Sequence, residues 1–331
     1  MRILVLGGTV FLGRAVARCA VGAGHDVTCA ARGVSGGHPD GARLVRVDRD
    51  RPEGLSALAG ERFDAVVDVA RRPSHVRQAL TELGDRVGHW TFVSTISVYA
   101  DDRTPGQRAD SAPLLPAAPP EIDDATDEQY GPCKVAAEEA VAASGLAAFV
   151  CRAGLIVGPE DTSARFDYWV ARLARGGEVL VPGRPEDQVQ LVDVRDLAAW
   201  LVLAAETGLT GTYDGVGAPV ARREFMASIA EGVGATPRLT WVDQDFLAER
   251  GVQPWSGEGS LPVWVPLPDY AGLMSRDVSP ALKNGLRTRP LSETARDTLD
   301  WLPSRPDPLI PAGLAPDDEA RVLRAWHDRS T

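Results

Sequence analysis

Tyr130 and Lys134, four residues apart in the run YGPCK, have the clearest chemical potential in the chain. On a helix, residues at this spacing share a face. An isolated phenol, with a pKa of about 10, is a poor acid or base at neutral pH. A neighbouring ammonium favours the phenolate and lowers that value. Such a tyrosine can protonate a developing alkoxide, or remove a hydroxyl proton in the reverse direction. Pro132 is tolerable because it falls in the first helical turn. A Tyr and Lys pair also arises on ordinary helix faces, so the spacing alone leaves both readings open. The second candidate is the run FVSTISVY, residues 92–99, at the end of an apolar strand. A hydroxyl from Thr95 or Ser97 there can donate to a substrate oxygen, or it can serve as a turn cap.

These groups need a scaffold, and the first thirteen residues, MRILVLGGTVFLG, indicate which one. Ile3–Leu6 reads as a short apolar strand, Gly7 and Gly8 as a tight turn, and Gly13 as part of a helix opening. Strand, glycine turn and helix N-terminus make a cradle for a pyrophosphate. A βα turn also needs glycine for its dihedrals alone. Val10 stands where most such fingerprints have a small residue. Further strands are expected at 26–31, 43–47, 65–69, 89–94 and 147–152, with helices near 56–58, 75–87 and 128–144. This alternation is the mark of a mostly parallel sheet with helices on both faces.

Between them runs a loop at 101–127, rich in Pro, Asp and Ala. Its length marks either a functional lid or a solvated excursion. Beyond residue 154 the expected elements are helices at 165–174, 194–205 (capped by Asp193), 223–233 and 292–301 (capped by Ser292). Short strands are expected at 178–182, 188–192 and 212–215, and a terminal helix at 317–329 with an acidic first turn. The stretch 241–268 has poor periodicity and carries Trp241, Trp255 and Trp264. These either face a ligand or fill a lobe core.

The expected fold is therefore α/β: a Rossmann-type, doubly wound, mostly parallel sheet with a smaller C-terminal substrate-binding lobe. The division is 1–153 for the dinucleotide-binding domain, with core elements also contributed by about 185–215. Residues 154–184 and 216–310 form the substrate-binding lobe, and 311–331 the terminal helix.

The chain has 331 residues and a formal charge of −11. That charge argues against a nucleic-acid partner, which usually meets a basic face. The cysteines Cys19, Cys29, Cys133 and Cys151 lack metal-ligand spacing and read as thiols of a reducing compartment. No metal site is expected. No apolar run reaches about 18 residues and no signal-like segment opens the chain. The expectation is a soluble, cytoplasmic protein with no membrane partner.

Together, the glycine turn at residue 7, the hydroxyl-bearing strand end at 94–99 and YxxxK at 130–134 resemble the short-chain dehydrogenase/reductase superfamily. Length and lobe resemble its extended branch, the NAD-dependent epimerase/dehydratase family. The opening GGTVFLG is similar to the variant GGTxFxG motif of certain bacterial reductase-like and plastid members. The resemblance implies Tyr130 as catalytic acid/base and Lys134 as the residue that lowers its pKa and holds the nicotinamide ribose. It also implies Thr95 as the group binding the substrate oxygen. For the cofactor it implies Gly7, Gly8, Thr9, Val10, Phe11, Leu12 and Gly13 at the pyrophosphate turn, and Asp48 at the adenine. Val69, Ala70 and Arg71 follow the fourth strand, and Gly154 and Leu155 close over nicotinamide. Asp193 and Asp196 match a structural segment of the family. Many relatives form dimers through helices beside YxxxK, so a homodimer is a further expectation.

Three departures shape the functional expectation. Where NAD-preferring relatives end the second strand with an acid, this chain has Ala31 and then Arg32. A guanidinium suits a 2′-phosphate, so NADP(H) is expected over NAD(H). Ile96 and Ser97 follow Thr95 where dehydratases carry an Asp-Glu pair, which disfavours dehydration. Val189 stands where nucleotide-sugar enzymes place a diphosphate-binding arginine, unless a shift brings Arg184 into play. The leading expectation is an NADPH-dependent reductase of a ketone or imine in a small organic molecule. The alternatives are a sugar or nucleotide-sugar epimerase and a non-catalytic dinucleotide- or RNA-binding protein.

Overall fold

Seven parallel strands build the floor on which the candidate residues stand, and the apolar runs explain why. The computed structural model describes residues 1–123, 126, 128–304 and 312–330. Positions 124, 125 and 127 of the expected loop, 305–310 of the expected lobe, and 311 and 331 of the terminal stretch lie outside them. In chain order the first elements are β1 (Arg2–Leu6), α1 (Phe11–Gly22), β2 (Asp26–Ala31), β3 (Arg43–Arg46), β4 (Phe63–Asp68), α2 (Pro73–Leu83), β5 (Val87–Thr95), α3 (Tyr130–Ala143) and β6 (Ala148–Ala153). Then follow β7 (Ile156–Val157), α4 (Arg165–Ala174), β8 (Glu178–Pro182), β9 (Gln188–Val189), β10 (Val192–Asp193), α5 (Val194–Thr207) and β11 (Gly211–Gly215).

The main sheet runs in the order β11-β6-β5-β4-β1-β2-β3, with every neighbour parallel. Parallel strands covered on both faces must be apolar throughout. Accordingly Ile3, Leu4, Val5 and Leu6 are all fully buried. Helices α1 and α5 pack on one face, where Ala15, Ala17 and Ala20 meet Leu197, Ala198 and Leu201. On the other face Val76, Ala79 and Leu83 of α2 join Ala137 and Val141 of α3. Each large side chain so buried contributes about 1.5–3 kcal/mol.

The remaining elements form the lobe and its edge: β12 (Val220–Ala221), α6 (Arg222–Gly232), β13 (Arg238–Val242), α7 (Gln244–Glu249), β14 (Gln253–Trp255), β15 (Ser260–Pro262), α8 (Ser279–Lys283), α9 (Leu291–Trp301) and α10 (Pro316–His327). Apart from α8, whose Ala281 joins the core of the main sheet, their core is separate, built on Phe166, Trp169, Val179, Leu180, Val181, Phe225, Met226, Leu247 and Leu261. Trp264 lies inside it, and Trp241 and Trp255 pack against it. Among the described residues, no helix is long and apolar enough to cross a membrane.

Several local expectations change. The single strand expected at 188–192 is two: β9 pairs antiparallel with β12, and β10 pairs parallel with β7. The irregular stretch 241–268 holds α7, β14 and β15, elements too short to show a period. Ser292 is not a cap, because α9 already begins at Leu291 behind Pro290. Asp193 does cap α5, accepting from Arg195 N, and α10 carries Asp317, Asp318 and Glu319 in its first turn.

The loop at 101–127, expected as either a lid or a solvated excursion, is tied down over its first part. Gly272 N and Leu273 N donate to Asp102 O, Gly106 N to Ser275 O, and Asp277 N to Gln107 O. Ala100 N and Leu115 N close the loop's own base through Pro113 O and Val98 O. These main-chain bonds dock residues 102–107 on the 272–277 segment and hold the loop in place over 100–115.

Candidate active site

The cradle forms because three glycines remove side chains that have no room. A Cβ on Gly7, whose φ is +97°, would lie 2.6 Å from Val69 Cγ2. One on Gly8 would meet Cys29 Sγ at 2.7 Å, and one on Gly13 would lie 2.2 Å from Gly7 O. Helix α1 therefore starts directly against the turn, and Val10 at its N-cap makes no side-chain capping bond. Its first N–H groups and the positive end of its dipole are left for an anion.

Beside the turn lies a cavity of about 440 Å³, lined by Gly7, Thr9, Val10, Arg32, Asp48, Arg49, Asp50, Arg72 and His75 among others. It sits at the carboxyl ends of β1, β2 and β3, where open α/β sheets bind ligands. The cradle and the cavity together fit an adenosine diphosphate moiety.

Five expected cofactor positions line this cavity: Gly7, Thr9, Val10, Arg32 and Asp48. Others act beneath it. Gly8 and Gly13 permit close packing, and Leu12 is buried in the sheet-helix core. Gly154 N donates to Gly215 O, and Leu155 packs into the lobe core. Sequence reasoning missed Arg49, Asp50, Arg72 and His75. Arg49 and Asp50 directly follow Asp48 after β3, and the strand-end rule reaches them. Arg72 and His75 arrive from α2 only through the fold.

The expected preference for NADP is corrected here. Arg32 Nη1 lies 3.8 Å from Asp50 Oδ2, an acid that Arg72 at 2.5 Å and His75 at 2.9 Å also contact. The His75 hydrogen bond, with Arg72 and Arg32, holds the Asp50 carboxyl below its ordinary value. Arg32 thus already faces a carboxylate, the group that disfavours a 2′-phosphate.

At the end of β5, Thr95 opens a 3-10 turn, accepting from Ser97 N at 3.1 Å. Helix α3 starts on that turn. A Cβ on Gly131 would lie 2.3 Å from Ser97 O, so glycine after Tyr130 is what lets the two elements meet. The contact brings the Thr95 hydroxyl to the Tyr130 phenol. Burial raises the phenol pKa; the Thr95 hydrogen bond, Arg71 and Arg165 oppose it, and the net direction is upward. The guanidinium carbon of Arg71 stands 5.2 Å from the Tyr130 ring centroid.

Lys134 is committed one turn deeper. Its Nζ donates to Ala70 O at 2.7 Å and Val93 O at 2.5 Å and lies 4.1 Å from the Phe92 ring centroid. The opposition to burial at Tyr130 comes from the Thr95 hydrogen bond and from the charges of Arg71 and Arg165. Burial pulls the Lys134 pKa down to about 7, against the pull of Asp68 and Glu138. The unfolded chain keeps that proton up to about pH 10.4. Between these values the unfolded state binds more protons, so stability rises with pH. Lys134→Met is expected to abolish this rise. Urea unfolding of both proteins from pH 6.5 to 9.5 checks it, as a gap of a few kcal/mol at most that changes with pH.

Residues 3–213 match the family described as "NAD dependent epimerase/dehydratase family". Among characterised proteins, the chain is 26% identical over 212 residues to the Arabidopsis thaliana chloroplast stem-loop binding protein of 41 kDa b, covering 60% of this chain and 53% of that protein. It is 31% identical over 147 residues to 2'-dehydrokanamycin reductase of Streptomyces kanamyceticus, covering 44% and 38%. It is 28% identical over 259 residues to 3-diazoavenalumate denitrifying reductase of a Streptomyces species, covering 72% and 84%. The matches thus span about half or less of the first two relatives.

Among solved structures, the Thermus thermophilus UDP-glucose 4-epimerase complex with NAD matches with a TM-score of 0.63 at 20% identity, covering 92% of this chain and 100% of that one. The Bordetella bronchiseptica enzyme WbmH in complex with NAD+ matches with a TM-score of 0.63 at 17% identity, covering 91% and 98%. At these identities the likeness establishes the fold. Both structures hold NAD, which stands against the expected NADP.

Proposed function

The chain belongs to the NAD dependent epimerase/dehydratase family; from that premise we propose that it is a nicotinamide-dinucleotide oxidoreductase that interconverts a secondary carbinol and its ketone on a sugar or sugar-derived substrate, as an epimerase, with NAD. The observation carrying this reading is the meeting of Thr95 and Tyr130 at the carboxyl edge of the sheet, beside the glycine cradle. Bound there, NAD supplies the hydride acceptor and donor.

The protein's part is orientation and proton transfer. Thr95 and Tyr130 hold the substrate oxygen. Tyr130 takes the hydroxyl proton during oxidation and returns it during reduction. Arg71 and Arg165 stabilise the phenolate in between. Lys134, fixed by the Ala70 and Val93 carbonyls, sets the loop after β4 against β5. After Thr95 come Ile96, which is buried, and Ser97; no carboxyl acid follows Thr95 to expel water.

A second reading, net reduction of a ketone, draws support from the two Streptomyces relatives named as reductases. The GGTVFLG opening, like that of reductase-like bacterial members, agrees with it. So does Val189, fully buried in the lobe core at the place where the family resemblance puts a diphosphate-binding arginine in nucleotide-sugar enzymes.

The two readings separate on the purified protein. Denaturation should release NAD, identified by mass. Incubation with sugar substrates should interconvert two epimers without net use of cofactor. Stoichiometric loss of added reduced dinucleotide with a ketone would instead establish net reduction. Neither reaction across a broad sugar and ketone panel would refute the proposal.

A further inference from the structure

Beyond its pinned first part, the 101–127 loop runs across the start of α3, the turn that carries Tyr130. Leu115 N donates to Val98 O at 2.8 Å, and Ala118 N to Pro132 O at 2.9 Å. A Cβ on Gly131 would lie 2.8 Å from Leu115 Cδ1. Cys133 Sγ donates to Ile122 O at 3.9 Å, and Ala118 packs with Cys133 and Ala136, all three buried. Gln129, the N-cap of α3, makes no side-chain capping bond. The start of the helix is therefore held from outside, by the Thr95 turn and by this strap.

The strap ends on a second helix. Asp123 Oδ1 accepts from Ser74 N at 2.7 Å, and its Oδ2 accepts from Ser74 Oγ at 2.6 Å and Arg72 Nε at 2.8 Å. Arg72, the N-cap of α2, makes no capping bond of its own. A carboxylate 49 residues away thus satisfies the Ser74 N–H and complements the positive end of α2. Burial pushes the Asp123 carboxyl up, but the Ser74 bonds and Arg72 outweigh it and hold the group below its ordinary value. Arg72 Nη1 also donates to Asp50 Oδ1 at 2.5 Å, and both residues line the cavity beside the glycine cradle, which Asp123 does not. Pro113, Pro116, Pro119 and Pro120 each fix their own φ. The strap accordingly loses less conformational entropy on docking than a freer chain, and a few anchors suffice.

We propose that Asp123 is a positioning residue for Tyr130: it anchors the 113–123 strap that holds the first turn of α3, and with it the phenol, against the Thr95 turn. This rests on the reading that Tyr130 moves the proton. Without the anchor the far end of the strap is released from α2. Water then reaches the first turn of α3, and the phenol loses its fixed place beside Thr95.

The test reads the phenol directly, by fluorine NMR of the full chain labelled with 3-fluorotyrosine and saturated with NAD. Ring fluorination lowers the pKa of every phenol and brings the titration within the range of the folded protein. The chain has five tyrosines, and Tyr130→Phe assigns the Tyr130 signal. Burial is the chief cause of the raised Tyr130 pKa, so Asp123→Ala is expected to lower its midpoint by about 0.5 pH unit or more. Asp123→Asn, which keeps an acceptor for Ser74 N but loses the charge facing Arg72, should fall between. Leu115→Ala, made near the other end of the strap, should move the same signal in the same direction. The signals of Tyr168 in the lobe and Tyr213 in the main sheet should stay in place, and circular dichroism checks that each variant is folded. A Tyr130 midpoint that stays or rises in both alanine variants would overturn the proposal. So would Tyr168 and Tyr213 signals that move with it, the mark of general loosening. No turnover is read, so a fully active Tyr130→Phe protein would sink the catalytic reading while leaving the strap's hold on the phenol as measured.

Discussion

Tyr130→Phe is expected to lower turnover by about 10²–10⁴-fold, the usual worth of a positioned acid/base. The ring remains, so packing against Arg71 and the start of α3 on the Thr95 turn should survive. The phenol oxygen, the one atom that accepts and returns the proton, is lost. The effect should therefore fall on kcat, with KM moving little. Thr95→Ala tests the partner hydroxyl and should cost less, since Tyr130 still reaches the substrate oxygen. Steady-state rates of the interconversion, with folding checked by thermal melts, measure both. A Tyr130→Phe protein with full turnover would remove the proton-transfer role altogether.

Arg276→Met is expected to destabilise the fold by about 3–5 kcal/mol, because it leaves a buried carboxylate without its partner. Asp214 is at the end of β11, 2% exposed, and its Oδ2 accepts from Arg276 Nε at 2.8 Å. Its Oδ1 accepts from Tyr99 Oη at 2.6 Å. The guanidinium carbon of Arg276 lies 3.4 Å from the Tyr99 ring centroid, and Arg152 Nη1 donates to Tyr99 Oη at 3.2 Å. Burial already raises the Asp214 carboxyl, opposed chiefly by the Arg276 charge. Without Arg276, Asp214 should take up a proton as the pH falls, so the deficit should shrink in acid. Replacing both partners, Asp214→Leu with Arg276→Met, should recover part of the loss. Urea unfolding at two pH values decides the matter. A stability equal to the native protein's would mean that the pair contributes no net stability.

The local signals were largely legible. The alternation of apolar strands and amphipathic helices led to the correct fold class, since both periods are written within a dozen residues. The glycine turn was legible because Gly7 needs a positive φ and Gly13 a close approach. The link between the 94–99 run and the YGPCK run was legible only through resemblance. Its cause, the fit of Gly131 against Ser97 O, is a tertiary contact. Less legible were α7, β14 and β15, each of three to six residues. Strand β13 takes its pairing from β8, sixty residues earlier, and nothing near it in the chain signals that partner.

By itself, then, the sequence determined the parallel α/β architecture, the place of the glycine turn before α1 and the Thr95, Tyr130 and Lys134 candidates. All of these depend on short-range spacing, which secondary-structure geometry converts directly into direction. Tertiary structure alone decided that Arg32 faces Asp50, that Lys134 turns to two carbonyls, and that the 100–115 loop is pinned. It also set Arg71 over the Tyr130 ring. Each depends on side chains brought together by packing across long separations, 115 residues in the case of Tyr99 and Asp214. Charge and residue type show that such groups need partners, but only the folded chain determines which partners are within reach.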